Sequence, residues 1–132
     1  MRITPDTNVL LRAVLADDEA QGRAAIEVLE SAESVAISVQ SLCEFAWVLS
    51  RGYKLTRQDI SEAIRRLVGT RNVVVDRPAV DAGLEILEAG GDFADGAISH
   101  EGRWLGGETF VSFDRQAVRL LESKGRAAQR LG

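Results

Sequence analysis

Short apolar, β-branched runs alternate with stretches of helical spacing along this chain, and that alternation limits the fold more than any other feature. Ile3, Val35-Ala36-Ile37-Ser38, Asn72-Val73-Val74-Val75 and Thr109-Phe110-Val111-Ser112-Phe113 read as four strands. Val9, Leu10, Ala13 and Val14 carry the first helical stripe, with Thr4-Pro5 reading as its cap and first-turn proline. A second helix opens at Asp17-Asp18, with Ala20, Ala24, Ile26, Val28 and Leu29 as its apolar side. Leu42, Phe45, Val48 and Leu49 mark a third helix that starts at Val39 and stops at Gly52. Thr56 opens a fourth, buried through Ile60, Ala63, Ile64 and Leu67. Further helices are expected from Arg77 to Gly90, from Asp92 to about Trp104 and from Arg115 to Ser123. The tail from Gly125 to Gly132 shows no period. Strands that alternate with helices argue for an α/β fold, a mostly parallel sheet covered on both faces.

The length of 132 residues predicts one domain over residues 1–132, and 45% hydrophobic residues supply a core. A lone cysteine, Cys43, allows no internal disulfide and reads as packing. No apolar run approaches a membrane span and the start lacks a signal-peptide layout, so a soluble cytoplasmic protein is expected. The net charge of −4 argues against a general polyanion binder. It leaves room for a nuclease, because bound cations supply the positive field that meets phosphate.

Four acidic residues stand out. Asp6 lies where the first strand gives way to a helix, the edge of an open α/β sheet at which ligands sit. Asp114 follows the fourth strand in the same way. Glu44 neighbours Leu42, Cys43, Phe45 and Trp47, where a charge is costly unless it faces water, a partner or a cation. Asp95 lies three residues after Asp92 at the start of a helix. Each has an ordinary structural reading: Asp6, Asp92 and Asp114 as helix caps, Glu44 as a solvent-facing glutamate. The joint pattern, acids at two strand exits and on two intervening helices, raises the functional one.

The chain resembles the PIN domain ribonucleases, especially the toxin half of VapBC-type toxin–antitoxin pairs and the related FitB-like proteins. The resemblance rests on Asp6-Thr7-Asn8-Val9-Leu10-Leu11-Arg12, Ser41-Leu42-Cys43-Glu44-Phe45, Asp92-Phe93-Ala94-Asp95-Gly96-Ala97-Ile98 and Ser112-Phe113-Asp114-Arg115, which occur in the family's order. It implies a PIN-like three-layer α/β/α fold with a mostly parallel central sheet of four or five strands. It implies that Asp6, Glu44, Asp95 and Asp114 hold a divalent metal, Mg²⁺ or Mn²⁺, with Asp92 as helper or cap and Asn8 and Ser112 as supporting polar residues. It also implies a homodimer neutralised by a small antitoxin, whose arginine would pair with the carboxylates. Two departures stand out: the tail lacks the apolar closing strand many members show, and Ser99-His100 replaces small or apolar residues.

The implied chemistry is hydrolysis of RNA phosphodiester bonds by a metal-activated water. Hard cations want oxygen ligands, and no second histidine or cysteine offers a zinc site. Arg51, Lys54, Arg57, Arg65, Arg66 and Arg71 form the most basic region, either a solvated surface or an RNA phosphate track. His100 is five residues from Asp95, off the same helix face, and reads as a structural or surface histidine rather than a proton shuttle. Trp47 and Trp104 read as core or interface residues. Two rivals stand beside the nuclease: a PIN-like module that binds RNA or protein without cutting, and a phosphoacceptor receiver domain. The receiver lacks support, since Asp6 has no acidic neighbour and the only lysines are Lys54 and Lys124.

Overall fold

Helix caps set most element boundaries in the computed structural model, which describes residues 1–15 and 17–132. The described residues form seven helices and five strands in two compact units, Met1–Asp76 and Arg77–Gly132.

The first unit contains β1 (Arg2–Ile3), α1 (Thr7–Val14), α2 (Glu19–Ser31), β2 (Ser34–Ala36), α3 (Val39–Arg51), α4 (Arg57–Val68) and β3 (Val73–Val74). Its three strands pair in parallel in the order β1-β2-β3, with Ile3 opposite Val35 and Val35 opposite Val73. Each helix begins where a short polar side chain accepts an orphan backbone N–H: Asp6 from Val9, Asp18 from Gln21, Ser38 from Ser41 and Thr56 from Asp59. The cap of α1 is therefore Asp6 and not Thr4, and Pro5 precedes the helix instead of opening it. Asn72 donates from Nδ2 to the carbonyls of Leu29 and Ala32, both at 2.9 Å, and so satisfies the end of α2 while it leads into β3. Leu10, Val35, Leu42, Phe45, Leu49, Ile60 and Ile64 form the core.

The buried face of α2 differs from the expected one. Gly22 and Ala25 are buried, whereas Ala20, Ala24 and Ile26 are exposed and Val28 and Leu29 are half-buried. The expected set mixed two faces of the helix. The inward line runs through Gly22, where an added Cβ would stand 3.2 Å from the Arg12 carbonyl oxygen of α1. Packing distance, not hydropathy, chose that face.

The second unit contains α5 (Arg77–Glu88), α6 (Phe93–Trp104), β4 (Phe110–Ser112), α7 (Arg115–Ser123) and β5 (Ala128–Arg130). α5 and α6 pack with their backbones close together. A Cβ on Gly96 would come within 2.2 Å of the Ala82 carbonyl oxygen, and the Phe93 ring fills the space beside Gly83. β4 and β5 pair in parallel, Val111 opposite Gln129. The tail without a period thus does form a strand. It is held by backbone bonds such as Leu131 N–H to the Ser112 carbonyl at 2.8 Å, with Gln129 and Arg130 exposed. A strand held this way needs no apolar pattern.

Among the described residues the strands form one sheet of three and one of two, parallel within each sheet, and alternate with helices as expected of an α/β fold. Neither tryptophan is in the core: Trp47 is 63% exposed and Trp104 78%. No described helix is long and apolar enough to cross a membrane.

Candidate functional site

In the first unit two of the acidic candidates meet at the start of α1. Asp6 is the cap residue, and its Oδ1 accepts the Val9 N–H at 3.1 Å, which leaves Oδ2 unused by the helix. The next residue, Thr7, donates its hydroxyl to Glu44 Oε1 at 2.7 Å. Glu44 is thus brought from α3 to the end of α1 that Asp6 caps. It is exposed and hydrogen-bonded, which removes the desolvation cost that its apolar sequence neighbours suggest. Asn8 is exposed and, with Asp6, Val9 and Arg12, lines one wall of a cleft of about 530 Å³ whose other wall is α2.

In the second unit three more acids gather at the starts of α6 and α7. Asp92 is the cap residue of α6, yet its side chain makes no capping bond, so its exposed carboxylate is not spent on the helix. Asp95 lies in the first turn of α6, half-buried. Burial pushes its carboxyl up, and the negative charges of Asp92 and Asp114 push it further, to about 6. The start of a helix favours a charged carboxylate. Here burial and like charge prevail over that preference. Asp114 caps α7: its Oδ1 accepts the N–H groups of Gln116 and Ala117 at 2.9 and 3.1 Å. Ser112 supports it, since the Ser112 Oγ accepts the Asp114 N–H at 3.0 Å.

Both groups offer oxygen donors only, and each retains carboxylate oxygens that the fold does not use. That donor chemistry fits a hard divalent cation. Asp95 fits it in another way, because a cation beside it would favour the charged form that burial and the neighbouring acids disfavour. Among the described residues no three His, Cys, Asp or Glu side chains stand within reach of one ion.

Of the basic candidates, Arg51, Lys54, Arg57, Arg65, Arg66 and Arg71 are all exposed. Arg57 and Arg65 are also engaged with other groups of the chain. Cys43 is half-buried on α3. His100 is half-buried on α6, and its Nε2 is buried with no partner among the described residues. A second cleft of about 490 Å³, lined by Ile98, Arg103, Glu108 and Arg126 among others, contains none of the four acidic candidates.

Thr7 escaped the sequence reading, which weighed Asn8 and Ser112 as supporting residues and passed over the hydroxyl between Asp6 and Asn8. The available signal was position. At the first residue of a helix a threonine hydroxyl has no carbonyl of a preceding turn to bond, and so is free to reach a neighbouring element.

A comparison with curated proteins gives no match. A comparison with family models matches the PIN domain over residues 3–121, a stretch that includes Asp6, Glu44, Asp95 and Asp114 and sets the receiver reading aside. The chain belongs to the PIN domain family, whose members are mostly metal-dependent nucleases.

Proposed function

We propose that the protein is a Mg²⁺- or Mn²⁺-dependent endoribonuclease, the toxin of a VapBC-like toxin–antitoxin pair, with Asp6, Glu44, Asp95 and Asp114 as its metal-binding and catalytic carboxylates. The observation that carries this reading is the gathering of Asp92, Asp95 and Asp114 at the starts of α6 and α7, where burial first and then the other two charges raise the Asp95 carboxyl. Capping accounts for Asp114, but it does not account for a half-buried carboxylate at Asp95 beside two other acids.

A divalent ion supplies two things when bound: a water acidified toward neutrality and relief of the charge on the phosphate oxygens. The chain's own residues do the rest. Asp6 and Asp114 each turn one oxygen to a helix start and keep the other for a cation. Glu44 offers Oε2 while Thr7 holds Oε1. Asp95 would hold a cation with a carboxylate whose charge burial and the neighbouring Asp92 and Asp114 disfavour while the ion is absent. Exposed Arg51, Lys54, Arg57, Arg65 and Arg66 supply phosphate contacts for the RNA. In this reading the protein is a homodimer in the cytoplasm, and its antitoxin inserts an arginine among the carboxylates.

The rival is a PIN-like module that binds RNA or protein without cutting. Cleavage of defined RNAs by wild type and by Asp6→Asn and Asp95→Asn, in Mg²⁺ or Mn²⁺ and in EDTA, decides between them. Cleavage that requires metal and is lost in both variants is the expected result. Cleavage that survives in both, or no cleavage by wild type in either metal, overturns the nuclease reading.

A further inference from the structure

We propose that Thr7 is a positioning residue that fixes the orientation of Glu44, so that Oε2 is the one oxygen Glu44 offers a metal ion; this rests on the metal-dependent reading above. The two residues are 37 positions apart, and the Thr7 hydroxyl donates to Oε1 at 2.7 Å. An exposed glutamate on a helix samples many rotamers, and ordering it carries an entropic cost. A bond from a neutral hydroxyl to a charged carboxylate is among the stronger hydrogen bonds, and it selects one rotamer. Glu44 is ordered in this way before any ion arrives.

The frame around the pair is built to keep it in place. At the far end of α1, Arg12 Nη1 bonds both oxygens of Asp17, at 2.9 and 3.0 Å. Tyr53, just past the end of α3, donates its hydroxyl to the same carboxylate at 2.7 Å. Asp17 therefore ties the last turn of α1 to the segment that follows α3, while Thr7 and Glu44 tie the start of α1 to the middle of α3. With α1 held against α3 at two points, the Thr7 hydroxyl stays opposite Glu44. The hydroxyl is available for this because Thr7 is the first residue of α1.

Partners that orient a metal ligand typically contribute about 10–100-fold to metal affinity or activity. The test is a Mn²⁺ titration of the full chain, by calorimetry or by electron paramagnetic resonance, on wild type, Thr7→Ser, Thr7→Val, Glu44→Gln and the Thr7→Val/Glu44→Gln double variant. Thr7→Val is expected to weaken Mn²⁺ binding about tenfold, within that range. Thr7→Ser, which keeps the hydroxyl, is expected to stay near wild type. The double variant is expected to bind no worse than Glu44→Gln alone, because both changes remove the same interaction. In RNA cleavage Thr7→Val should lower kcat and leave KM for RNA unchanged. Thermal melts check that the variants are folded, and if Thr7→Val is not, Thr7→Ala makes the same comparison. Wild-type Mn²⁺ affinity in folded Thr7→Val or Thr7→Ala overturns the role of Thr7 alone. Absence of Mn²⁺ binding by wild type overturns the metal reading and the role of Thr7 with it.

Discussion

Asp6 has two tasks that a single atom change can separate. Its Oδ1 caps α1, and an asparagine caps as well as an aspartate. Asp6→Asn should therefore melt close to wild type, while Asp6→Ala should lose about 1 kcal/mol with the cap. Both should lose metal-dependent cleavage, so matched melts and assays distinguish a ligand from a fold-keeping residue. Asp95 allows a sharper test, because its environment works against its charge. Its carboxyl titrates near 6 in the folded chain against an ordinary 3.8. Between those values the folded state holds more protons than the unfolded one, so this residue lowers stability as pH rises from about 4 to about 6 and keeps it lowered above. In EDTA, Asp95→Asn should melt above wild type near pH 7.5, and the gap should close toward about pH 3, where both chains are neutral at this position. A gap independent of pH would mean that the carboxylate is not strained.

At the scale of elements, α6 contains two glycines whose replacement by alanine should act in opposite directions. Gly96 faces α5, where a Cβ would meet the Ala82 carbonyl oxygen at 2.2 Å, and Gly102 faces open space. Gly96→Ala must push the two backbones apart and should cost about 1–3 kcal/mol. Gly102→Ala clashes with nothing and should gain roughly 0.5–1 kcal/mol from helix propensity. Thermal denaturation of the two variants reads both signs. The same helix shows what the sequence could reveal. Its start at Asp92 and its end near Trp104 were legible, because helix-start and helix-stop signals are local properties. The tight approach to α5 was not, since it depends on which residues face each other across two helices. α2 repeats the point: hydropathy marked Ala20, Ala24 and Ile26, while the inward line runs through Gly22 and Ala25. β5 was invisible for the reverse reason, as it is held by backbone bonds that leave no mark on side-chain pattern. The acidic candidates were legible as residue types at element ends or on helices. Asp6 and Asp114 cap their helices as read, but it was not legible that Asp92 makes no capping bond or that a hydroxyl from another helix holds Glu44.

For the whole molecule, the question is how a chain of net charge −4 would hold a polyanion. Long-range attraction from net charge is absent, so in the nuclease reading RNA would be held by local contacts between exposed cations and phosphates, together with bound metal. Each phosphate neutralised by a side chain releases counterions, and for single strands log K falls with log salt by about 0.7 per contact. Arg51 ends α3 and Arg66 lies in the last turn of α4, both exposed and in the same unit as Asp6 and Glu44. Binding is best measured in the Asp6→Asn background, where cleavage does not consume the RNA. If Arg51 and Arg66 each meet one phosphate, reversing both to glutamate should weaken binding and flatten the salt slope by about 1.4, from 0.7 for each. A loss of affinity with an unchanged slope would mean that the reversal acts through the fold or through repulsion elsewhere. An unchanged affinity would leave these cations as ordinary solvated surface, and the RNA would have to be held by other parts of the chain.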